Sequence, residues 1–139
     1  MATDQNSEIE TRKIPQDELE QYFTRFTKNF LIRESTNSID VEVLGSDTGD
    51  QFESEGAKIF GITYDPRDKS LEFELAGGDH RIVNPREVWT AEEPDGFVKA
   101  IEVVREDGIR EVAKVKRGGL SAFSPERSAT DTTAENRTE

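Results

Sequence analysis

Turn-forming residues punctuate this chain between residues 38 and 117 so closely that only short strands fit between them. Asp65-Pro66-Arg67-Asp68-Lys69, Gly77-Gly78-Asp79 and Asp107-Gly108 each supply what a chain reversal needs. Proline is preset for the second turn position, glycine takes positive φ freely, and aspartate can bond the backbone beyond it. Between the turns, apolar and polar residues alternate. Ile39, Val41 and Val43 are separated by Asp40 and Glu42, and Leu71, Phe73 and Leu75 by Glu72 and Glu74, the two-residue period of a strand with one dry and one wet face. About six strands are expected: Ser38–Leu44, residues 58–64, Ser70–Leu75, a fourth bent by Pro85 between His80–Val83 and residues 87–90, residues 97–105, and residues 109–115. Residues 45–56 read as a loop, and each strand is expected to pair antiparallel with the next.

Ahead of the strands, Pro15 stands where a first helical residue belongs, and Asp17 and Glu18 place negative charge at the positive end of a helix. Leu19, Tyr22, Phe23, Phe26 and Phe30 recur on one stripe, which requires a sheet to cover. In the last hairpin, a turn centred on Asp107-Gly108 sets Val103 against Val112 and Ala100 against Val115, so that both faces carry apolar residues. The expected fold is therefore α+β: one N-terminal amphipathic helix packed on a mostly antiparallel, strongly curled sheet or small barrel. Residues 1–13 and 118–139 are polar and read as disordered tails around a single domain, residues 14–117. That leaves one core, since about 100 residues bury only about two-thirds of the unfolded chain's surface.

Charge narrows the partners. The formal net charge is −12, of which the two ends carry −3 and the middle −9. Such a surface repels phosphate backbones and anionic headgroups, so neither nucleic acid nor membrane is an expected partner. The same acidity suits solubility or a salty cytoplasm, and only 7 of the 18 bases are lysine. There is no cysteine, which excludes disulfides and thiolate metal sites and fits a reducing compartment. Met1 to Asn6 lacks the charged and apolar regions of a signal peptide, so the chain reads as soluble and cytoplasmic, a monomer being slightly favoured.

Several segments together resemble a small family of prokaryotic domains of unknown function. The likeness lies in Lys13-Ile14-Pro15, Val41-Glu42-Val43-Leu44-Gly45 and Gly61-Ile62-Thr63-Tyr64-Asp65-Pro66. It continues through Leu71-Glu72-Phe73-Glu74-Leu75, Asp79-His80-Arg81-Ile82 with Pro85, and Ala100-Ile101-Glu102-Val103-Val104. Leu19 departs from it, standing where an aromatic residue is common. The resemblance implies a stand-alone domain of about 100 residues with no established activity.

Asp79-His80-Arg81, Tyr64-Asp65-Pro66 and Trp89 form the most distinctive polar and aromatic group, so Tyr64, Asp65, His80, Arg81 and Trp89 are the candidate surface site. A histidine beside a carboxylate can act as a base, but acyl or phosphoryl transfer also needs a nucleophile or oxyanion donors that the sequence does not identify. The plainer reading puts Asp79 in the turn and His80 and Arg81 on a half-exposed strand, where His80→Ala would leave stability nearly unchanged. Asp47, Asp50, Glu53 and Glu55 could gather a hard cation, but their spacing fits no calcium loop, so they read as a solvated loop. Lys99, Arg105, Arg110, Lys114, Lys116 and Arg117 concentrate base on the last hairpin, facing Glu72, Glu74 and Glu102 or an acidic partner. Leu120, Phe123 and Ser124-Pro125 suit a short partner-binding motif or an extension packed on the sheet edge. No catalytic residue, metal or cofactor is assigned. The leading expectation is a non-enzymatic binding or accessory domain with a protein partner or small ligand. The alternatives are a small enzyme or ligand-binding protein using His80, Arg81, Tyr64 and Asp65, and a protein of salt or desiccation stress.

Overall fold

The computed structural model describes residues 8–32, 36–45 and 49–118. Leu120, Phe123, Ser124-Pro125 and Asp47 lie outside the described residues, as do residues 1–7. Eight strands form one antiparallel sheet: β1 Glu10–Lys13, β2 Ser38–Leu44, β3 Gln51–Asp65, β4 Ser70–Leu75, β5 His80–Val83, β6 Glu87–Glu92, β7 Val98–Val104 and β8 Arg110–Lys116. They lie in the order β1-β6-β7-β8-β2-β3-β4-β5.

This corrects the expected architecture in six respects. The class is largely β rather than α+β, with eight strands instead of about six, and the sheet is open, its edges being β1 and β5, rather than a closed barrel. The helix is not N-terminal: Glu10–Lys13, expected in a polar tail, pair with β6 and put a strand before it. Pro85 breaks the supposed fourth strand completely, so that β5 pairs with β4 while β6 pairs with β7. Half of the acidic stretch assigned to a loop, residues 51–56, belongs to β3, which begins at Gln51.

β3 serves two neighbours in turn. Its first half pairs with β2 up to Lys58, and its second half pairs with β4 from Ile59 onward. The change of partner needs a bend, supplied by register shifts around residues 54–57 and by Gly56 at φ 68°, whose N–H is held by Asp40 Oδ1 at 2.6 Å.

A continuous helical run covers the inner face: a 3₁₀ turn Gln16–Glu18, the helix α1 Leu19–Phe26 and a π-helical segment Thr27–Leu31. Pro15 stands just outside it in extended conformation, its carbonyl accepting from Glu18 N at 2.9 Å. Leu19, Tyr22, Phe23 and Phe26 are buried as the stripe requires. The π segment then adds a residue to the turn, so Leu31 takes the next buried position and Phe30 is left half-buried against Phe26 and Phe97. Beneath lie Ile39, Ile59, Ile62, Leu71 and Ile101, each fully buried. Phe23, also fully buried, contributes roughly 2–3 kcal/mol of apolar transfer.

Candidate functional site

The last hairpin decides what the inner face presents. Its ladder sets Glu102 against Val112 and Val103 against Glu111, one residue away from the pairing expected from the turn. A one-residue shift exchanges the faces of a whole strand. Val112 therefore points outward, while Glu111, Ala113 and Val115 point in and are buried. A carboxylate on an apolar face needs partners. Glu111 has two: Arg105 Nη1 donates to its Oε2 at 3.1 Å, and His80 Nε2 lies 2.6 Å from its Oε1. Arg105 also donates to Asp107 Oδ2 at 2.7 Å, closing a four-residue network.

His80 comes from β5, which three strands separate from β8 in the sheet order, so this contact joins the two arms of the open sheet. Its side chain is 17% exposed. The hydrogen bond to Glu111 raises the imidazole pKa, burial working against it. β5 is the half-exposed strand expected, with His80 half-buried on it, and the link means that removing the ring strips a buried carboxylate of one of its two donors.

Beside the network lies an open cleft of about 400 Å³. One wall is β5, all four of whose residues, His80 to Val83, line it. The other is made by Glu53 of β3, Glu111 of β8, and Arg105, Glu106 and Asp107 at the β7–β8 turn. Sequence reasoning singled out His80 and Arg81 but assigned Glu111 no role; no local motif marks it, and only the strand register brings it inward.

The other candidate residues lie elsewhere. Tyr64 is buried and its hydroxyl donates to Gln16 Oε1 at 3.2 Å, while Gln16 Nε2 donates to Pro85 O at 2.8 Å, a chain tying the helical run to the β5–β6 connection. Burial, with Asp65 adding to it, raises the Tyr64 pKa. Tyr64 lines a separate cleft of about 320 Å³ with Lys69 and Arg86. Asp65 Oδ1 accepts from Arg67 N at 2.9 Å within its turn, and Arg81 reaches Asp68 at 3.5 Å on the surface. Trp89 stands on the outer face of β6, its indole N–H bonded to Glu87 at 3.0 Å. Among the described residues the acidic stretch does not gather: Asp50 faces Gly45 N at 3.4 Å and Glu53 lines the cleft. Of the bases on the last hairpin, Arg110 pairs with Glu102 across it at 3.4 Å and Lys116 reaches Asp40 of β2 at 3.3 Å.

Comparison with other proteins agrees with the resemblance carried by the strand and turn segments. A model of a family of unknown function, DUF5335, matches residues 10–120. An uncharacterized protein of Aquifex aeolicus (strain VF5) is 36% identical over 107 residues, which span 76% of this chain and 92% of that protein. No solved structure matches. Among the described residues, no helix is long and apolar enough to cross a membrane. On the extent of the family match and the identity to this relative, the chain belongs to the DUF5335 family.

Proposed function

We propose that this is a non-enzymatic binding domain that captures an extended peptide segment as an added strand beside β5. The observation carrying this reading is that four consecutive residues of β5 line one cleft. Side chains alternate in direction along a strand, so a cleft touched by all four faces the strand's backbone edge. Asn84 N donates to Lys69 O at 2.7 Å at the end of this ladder. The alternation of an antiparallel pair then makes Leu71–Ile82 and Phe73–His80 the hydrogen-bonded pairs and turns the N–H and C=O of Arg81 and Val83 toward the cleft. An open edge of this kind is a template for a further strand. Val83, 55% exposed, adds an apolar contact. His80 Nε2 bonds Glu111, a buried carboxylate that also takes Arg105, so this contact ties the two arms of the sheet together. A protein partner suits the acidic surface better than a polyanion, and the absence of cysteine supports a cytoplasmic location.

The test is Val83→Pro, which removes an N–H directed at the cleft while leaving the Asn84–Lys69 bond in place. Peptides selected from a random display library on the full chain should bind this variant at least about tenfold more weakly, the loss of roughly one good hydrogen bond and its register. Selected peptides that bind both forms equally, or a library that yields none, would remove the proposal.

A further inference from the structure

Strand β5 is paired through its backbone on one side alone, by β4, and the shortest side-chain contact that reaches it from the opposite arm is His80 to Glu111, while Asn84, just past β5, lies 3.5 Å from Glu106. We propose that this contact is a pH-operated latch that holds the β4–β5 arm of the sheet against the β7–β8 arm, closed while His80 is protonated and loosened when it is neutral. It acts whether or not the neighbouring cleft binds a peptide.

Three features of the geometry make it a latch. The two side chains are largely buried, 17% and 6% exposed, so the bond is only partly screened although both line the open cleft. The charges facing the imidazole favour its cation: Glu111 from β8 and Glu53 from β3 attract it, and Arg105, at the end of β7, opposes them. Asp107 draws part of that guanidinium away at 2.7 Å. On β4 the residue paired with His80 is Phe73, an uncharged ring at 6.0 Å between centroids. Finally, Glu111 retains Arg105 at 3.1 Å when His80 loses its proton, so the carboxylate stays anchored and the change falls on the His80 side, on β5.

The direction follows from linkage. The folded state raises the His80 pKa, so the stabilisation is complete below the ordinary value of 6.5 and is lost as pH rises through the folded value. A neutral imidazole can still donate one hydrogen bond, but without charge assistance.

This chain has one histidine, so its ring resonances report the latch without ambiguity. The experiment follows those resonances in the full chain from about pH 5.5 to 9, together with amide-exchange protection factors for Ile82 in β5 and Ile101 in β7, in the range where His80 titrates. We expect an apparent pKa above 6.5, and a loss of Ile82 protection of about fivefold through that titration, the ratio between a charge-assisted and a neutral hydrogen bond. Ile101 should hold constant. In Glu111→Gln the His80 pKa should fall back and the Ile82 profile flatten, and His80→Gln should flatten it likewise. If either variant fails to fold, the wild-type titration decides alone. A His80 pKa at or below 6.5 overturns the latch, as does Ile82 protection that holds steady while His80 titrates, or a loss shared equally by Ile101.

Discussion

Phe26→Ala should lower the unfolding free energy by about 3–5 kcal/mol, the usual cost of truncating a large buried aromatic side chain. Phe26 is 4% exposed, and its ring sits 5.5 Å from Phe97 and 5.6 Å from Phe30, in the angle between the helical run and the start of β7. Neither neighbour can collapse into the gap. Phe97 is buried at the mouth of its strand, with its N–H held by Asp95, and Phe30 is held between Phe97 and the Arg117 guanidinium, 5.4 Å above it. Such a loss takes most of the margin of a small domain, whose total is about 5–15 kcal/mol. Urea unfolding of the variant should show a midpoint far below that of the wild type. An unchanged midpoint would mean that the aromatic cluster contributes nothing to holding the helix on the sheet.

The helix stripe was legible because Leu19, Tyr22, Phe23 and Phe26 are all local, and periodicity reports local structure. The hairpin turns at residues 65–69 and 107–108 were legible for the same reason. What escaped was nonlocal. β1 is a run of exposed, mostly charged residues that becomes a strand only because β6 offers it an edge, and nothing in Glu10–Lys13 announces that edge. The pairing of β8 with β2 joins segments about 70 residues apart, beyond the reach of any hairpin signal. The candidate site shows the limit most clearly. Glu111 and Val112 are adjacent, and the register expected from the Asp107-Gly108 turn set Val112 against Val103. The observed register turns Glu111 inward instead, where Arg105 and His80 make a buried carboxylate tolerable. His80 was therefore visible in the sequence as a distinctive residue, but its partner was not.

Thr27→Val should cost about 2–4 kcal/mol even though it preserves shape and removes no apolar contact. The second half of β3 has β4 on one side, and β2 pairs with β3 only as far as Lys58, which leaves the other edge of this half without a strand. Thr27, at the start of the π-helical segment, covers it: its hydroxyl accepts from Ile62 N at 2.9 Å and donates to Ile62 O at 2.9 Å. Gly61 allows the approach, since a Cβ there would lie 3.3 Å from Thr27 Cγ2 and 3.0 Å from Glu74 Oε1. Ile62 is fully buried, so without the hydroxyl its N–H and C=O lose their partner where water cannot reach them, at about 1–3 kcal/mol for each group left unmade. Thr27→Ser keeps the hydroxyl and gives up one methyl, and should cost about 1 kcal/mol, the value of one buried methylene. Urea midpoints in the order wild type, Thr27→Ser, Thr27→Val separate the polar contribution from the packing one. A valine variant as stable as the wild type would show that the edge of β3 needs no polar cover, and that burial alone seats the helical run.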